Sequence, residues 1–90
     1  MLKNLLQRLD KTTPQVRGAY AVNTGQYVGE FFVFIGQDKD NYLFLSLPKM
    51  QKRAVPRSNF THGITNKILT LVERLPKNIH MVCIAAYNKG

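Results

Sequence analysis

The chain has no tryptophan, a single cysteine (Cys83) and only five acidic residues among 90. One cysteine excludes an internal disulfide, and secreted domains of this size usually depend on several. The longest uninterrupted apolar run, Met81 to Tyr87, is seven residues, whereas a membrane-spanning helix needs about 20. The opening MLKNLLQRLD intersperses leucine with charge. It has neither the continuous apolar core nor the small-residue cleavage site of a signal peptide. These absences lead us to expect a cytoplasmic or otherwise reducing setting. No glycine-rich run precedes a lysine, so no phosphate-binding loop or cofactor is expected. Repeats, low-complexity stretches and linkers are absent too.

What is present is positive charge. Thirteen Lys and Arg against five Asp and Glu leave a net +8, in a chain that is 44% hydrophobic and 20% charged. That balance belongs to a folded domain. Ninety residues fit one domain with a small core, in which every apolar stretch is needed.

Leu2, Leu5, Leu6 and Leu9 recur at helical spacing and predict a short amphipathic helix within residues 1–13, stopped by Thr12-Thr13-Pro14. Residues 16–60 read as β. A weak strand is expected at Val16–Val22, a strong one at Tyr27–Ile35, its partner at Tyr42–Leu47 and a short one at Lys52–Val55. The polar loop Gly36–Asn41 reads as a hairpin. Phe31, Val33 and Ile35 point one way and Phe32 and Phe34 the other. Both faces of that strand are then covered, or one is an exposed aromatic face used for binding. Ile64, Ile68, Leu71, Val72 and Leu75 predict a second helix from about 61 to 75, ended by Pro76. The uncharged stretch Ile79–Tyr87 predicts a final, well-covered strand. The fold class expected is α+β: a small twisted antiparallel sheet or open barrel with a short N-terminal helix, a C-terminal helix and a last strand.

The segment VPRSNF at Val55–Phe60, following four short strands, resembles the Pro-x-Asn-aromatic segment of a Src-homology-3-type small barrel. The resemblance covers residues 17–60. It implies barrel architecture with a one-turn 3₁₀ element before the last strand. It does not imply proline-rich peptide binding, since the tryptophan and the acidic loop used for that are missing.

Between Asn41 and Val72 there is no acid, and Lys49, Lys52, Arg53, Arg57 and Lys67 are all basic. The first four fall on a turn, a short strand and the turn after it, where they would converge on one edge of the domain. Such a patch neutralises phosphates without reading sequence. DNA or RNA is therefore the expected partner, with Gln51, Ser58, Asn59 and His62 as nearby hydrogen-bonding groups. Phe32, Phe34, Tyr42 and Phe44 share a face if the two strands pair across the loop, a face read as packed under the C-terminal helix, while Tyr27 and Tyr42, nearer strand ends, are the candidate stacking residues. Alternatively, the patch docks an acidic protein surface and the leucine helix mediates an assembly such as a homodimer. The one enzymatic reading is a small basic ribonuclease, with His62 and His80 as acid and base and Arg57 stabilising the phosphorane. Asp38 and Asp40 lack the closing Glu of a calcium loop, and His62, His80 and Cys83 are too few for zinc, so no metal site is expected. On a strand, His80 and Cys83 would point to opposite faces, with Cys83 in the core.

Overall fold

Tyr20 pairs with Phe32 on one side and Leu71 on the other, and this places β1 inside the sheet rather than at its margin. The computed structural model describes residues 13–89; the leucine helix expected at 1–13, with Leu2, Leu5, Leu6 and Leu9, lies outside them apart from Thr13. The strands are β1 (Gly18–Val22), β2 (Phe31–Gln37), β3 (Asn41–Leu47), β4 (Gln51–Pro56) and β5 (Leu69–Arg74). They form one open antiparallel sheet in the order β4-β3-β2-β1-β5. Helix α1 (Arg57–Thr65) joins β4 to β5, and helix α2 (Lys77–Lys89) ends the described chain.

The alternation in β2 shows why two helices are needed. Phe32 faces a cluster of Tyr20, Val22, Tyr42, Phe44, Phe60 and Leu69. Val33 faces Ala19, Leu45 and Cys83 on the opposite side. A sheet apolar on both faces must be covered on both. Helix α1 covers the aromatic face through Phe60, and α2 covers the other through Cys83. Phe32 and Phe44 are therefore core residues, the packed alternative expected for that face, although the helix over them is α1.

The second half of the chain differs from the sequence reading. The expected helix at 61–75 is split. Its first residues belong to α1, which begins at Arg57 where a tight turn was expected, and Leu69–Arg74 form β5. The VPRSNF segment thus ends β4 and opens a nine-residue helix. The chain breaks at Asn66-Lys67. Asn66 donates its backbone N–H to the His62 carbonyl, Lys67 takes a φ of 58°, and Ile68 N–H returns to the Gly63 carbonyl. Only Ile64 of the apolar stripe is helical. Leu71 and Val72 are recruited by the free edge of β1, which helical spacing cannot reveal. Gly63 allows the close approach: a Cβ there would stand 3.1 Å from Leu69 Cδ1.

The expected strand Ile79–Tyr87 is the helix α2. Pro76 just before it is the usual punctuation at the start of a helix. The half-buried or buried residues His80, Cys83, Ile84 and Tyr87 follow helical spacing. His80 and Cys83 consequently share one face. Among the described residues no helix is long and apolar enough to cross a membrane.

Phe60 is fully buried, its ring stacked on Phe44 at 5.8 Å and edge-on to Tyr20 and Tyr42, each at 5.4 Å. Truncation leaves a cavity at the centre of the aromatic face. Phe60→Ala is expected to cost about 3–5 kcal/mol, read as a lower urea midpoint, with Phe60→Leu losing clearly less.

Candidate nucleic-acid interface

Four of the five positive residues of the central stretch lie along or beside β4, an edge strand whose outer side pairs with no described strand. Alternation on β4 sends consecutive side chains to opposite faces. Lys52 goes to the α2 side, its ammonium 5.0 Å from the Tyr87 ring centroid. Arg53 goes to the α1 side, its guanidinium 4.3 Å from the centroid of Tyr27. Lys49 stands in the turn before β4, and Arg57 opens α1 just after it. Four of the five expected residues therefore share one edge. Lys67 does not: it sits beside β5, at the other edge, and lines a separate groove of about 540 Å³ with Tyr20, Ile64 and Leu71.

These cations are not equally free. Arg57 donates from Nη2 to the Asp38 carbonyl at 2.8 Å and from Nε to the Lys39 carbonyl at 3.3 Å, and its guanidinium lies 4.8 Å from the Tyr42 centroid. Arg53 donates to Gln51 Oε1 at 2.9 Å and reaches Glu30 Oε1 at 3.5 Å, while its Nε is buried with no hydrogen bond among the described residues. Arg53 was expected on the surface, but its side chain is only 20% exposed. Its guanidinium is held between Glu30, Gln51 and Tyr27, so it supports structure as well as carrying charge.

Glu30 is the residue that the sequence reading missed. It is buried at the entry to β2, where it accepts a short hydrogen bond from the Ser46 hydroxyl and pairs with Lys49 Nζ at 3.4 Å and with Arg53. The signal was a lone acid directly before the most apolar strand. Its partners could not be read because β2–β3 pairing brings Ser46 opposite Phe32 and β3–β4 pairing brings Gln51 opposite Ser46.

The aromatic candidates divide. Tyr42 is buried against Phe60 and Phe34, which corrects its assignment as an exposed stacking residue. Tyr27 is half-buried and borders a second groove, of about 470 Å³, beside α1. The two histidines are not brought together. His62 is exposed on α1 and contacts Asn66, whereas His80 on α2 donates from Nε2 to the Phe34 carbonyl at 2.7 Å. The sheet lies between them, so the acid–base pair of the ribonuclease reading is not assembled in this chain. Asp38 accepts the backbone N–H groups of Asp40 and Asn41, closing the hairpin tip.

The Glu30 carboxyl is held below the ordinary carboxylate range. The Ser46 hydrogen bond is the main cause; burial opposes it, and Lys49 and Arg53 add to it. A depressed folded value stabilises the fold above the unfolded value, about 4.3, and that stability is lost as pH falls through the folded one. Glu30→Gln removes this dependence. Urea midpoints of the two proteins should differ most at neutral pH and converge as pH falls through the depressed folded value, and a gap that stays constant with pH would contradict the linkage. Asp38, depressed by its two backbone hydrogen bonds, retains a weaker acid dependence in both proteins.

The sequence matches no family model and no curated protein, and the structure matches no solved structure.

Proposed function

We propose that this protein binds nucleic acid without catalysis, contacting the phosphate backbone along the β4 edge with Lys49, Lys52, Arg53 and Arg57. The observation that carries this reading is the concentration of four cations on and around one edge strand, whose outer side pairs with no described strand, in a chain of net charge +8. Glu30 offsets part of that charge but lies beneath Lys49 and Arg53, buried, while the Lys49 side chain is 59% exposed. The two arginines are held by carbonyl, amide and aromatic partners and still keep N–H donors to spare. A guanidinium fixed in advance loses less freedom on meeting a phosphate. Contacts of this kind give affinity and register rather than sequence recognition.

A second observation favours a protein partner instead. The outer side of α2 exposes Ile79, Met81 and Val82, which no other described element covers. Exposed apolar surface of this kind marks interaction sites. The same basic edge would then meet an acidic protein surface.

Fluorescence anisotropy of a labelled single strand across a salt series tests the leading reading. Four phosphate contacts predict a log–log slope of about −2.8, at −0.7 per contact. Lys49→Ala combined with Lys52→Ala should reduce the slope to about −1.4 and leave the circular dichroism spectrum unchanged, because both side chains are at the surface. An unaltered slope removes the edge from the binding site. No binding even at low salt leaves the protein-partner reading.

A further inference from the structure

We infer that the groove between α1, the end of β4 and the β1–β2 loop receives one unpaired base, so that the nucleic acid bound at the β4 edge is single-stranded. The inference rests on the phosphate-binding reading above and adds a second kind of contact to it.

The groove has a volume of about 470 Å³, within the range of small-molecule sites. Phe32, Val55 and Leu69 supply an apolar floor, and Tyr27 adds an aromatic ring at one side. Asn59, His62 and Thr24 line it as well and are all exposed, the His62 imidazole also contacting the Asn66 amide. This combination, an apolar slot with a few donors and acceptors at its mouth, suits a flat heteroaromatic ring with a polar edge.

Charge indicates which ring-bearing ligand fits. One wall is Ala54-Val55-Pro56 of β4, and Arg53 and Arg57 bracket that segment in sequence. Arg53 is stacked on Tyr27, itself a lining residue. Among the described residues no acid lines the groove. A polyanion following β4 would thus run alongside an apolar, ring-sized slot. A base still paired and stacked in a duplex cannot enter such a slot, whereas a base of a single strand can turn into it at little cost. The buried rings under α1 remain core, and the contact uses only surface that α1 leaves uncovered.

The test compares a short labelled single strand with an otherwise identical strand lacking its bases, by anisotropy at fixed salt. The base-bearing strand should bind roughly ten-fold more tightly. Asn59→Ala with His62→Ala, both at exposed positions, should remove most of that advantage without changing the affinity or salt slope of the abasic strand. Equal affinity of the two strands for the wild-type protein overturns the inference while leaving salt-dependent phosphate binding in place. An advantage that survives the double substitution overturns the assignment to this groove, and an unlabelled duplex that competes as well as the single strand overturns the preference. Failure of every strand to bind at low salt overturns both this inference and the reading beneath it. The wild-type comparison decides the point even where the double variant folds poorly.

Discussion

Phe60 is where the chain is fastened as it crosses its own sheet. β4 ends at one edge and β5 begins at the other, so the connection must pass over three strands. It does so on the face that carries Tyr20, Tyr42 and Phe44, and Phe60 is the α1 side chain that enters among those rings. Alpha-helical propensity alone would not hold α1 in place. Its nine residues are too few for a stable isolated helix, they include Gly63, and no described side chain caps its N-terminus. Tertiary packing supplies what the local sequence does not. The positions of β5, of Lys67 and of both grooves beside α1 all follow from that one anchored crossing.

The legible part of the sequence was the part whose pairing is local. β2 and β3 are joined by a short loop, and their alternation and turn residues can be read without knowing anything else. The demand for cover on both faces followed from Phe32 and Val33 alone. The illegible part depended on distant partners. Leu69–Arg74 fit a helical stripe when read alone, and only the vacant edge of β1 makes them a strand. Ile79–Tyr87 was misread for a different reason. Its uncharged apolar run fits a covered strand as readily as a helix, and only Pro76 and the His80-Cys83-Ile84-Tyr87 spacing favour the helix. Of the interface, the clustering of Lys49, Lys52, Arg53 and Arg57 was visible in the chain. Their division between faces was implicit in β4 alternation, but the capture of Arg53 and Lys49 by Glu30 required the pairing of three strands.

The same residues that make the β4 edge basic also shape it mechanically. Lys52, Arg53 and Pro56 on an edge strand discourage pairing with another chain. Glu30 limits how closely the charges of Lys49 and Arg53 repel each other while keeping both at the rim. His80 gives α2 a comparable attachment on the other face, where it meets the Phe34 carbonyl beside the bulge in β2. Polar side chains thus fasten both sides of a sheet whose core is otherwise apolar and aromatic.

The place of β1 has a temporal consequence. Its neighbour β2 follows it across a single loop, but its other neighbour, β5, emerges only after two more strands and α1 have been made. The edge of β1 that β5 fills therefore has no strand partner from the meander β1–β4 alone. Pairing between segments so far apart in sequence is slow, because loop closure is opposed by entropy before the contacts repay it. The meander β1–β4 can form first, and the docking of Phe60 then delivers β5 to the waiting strand.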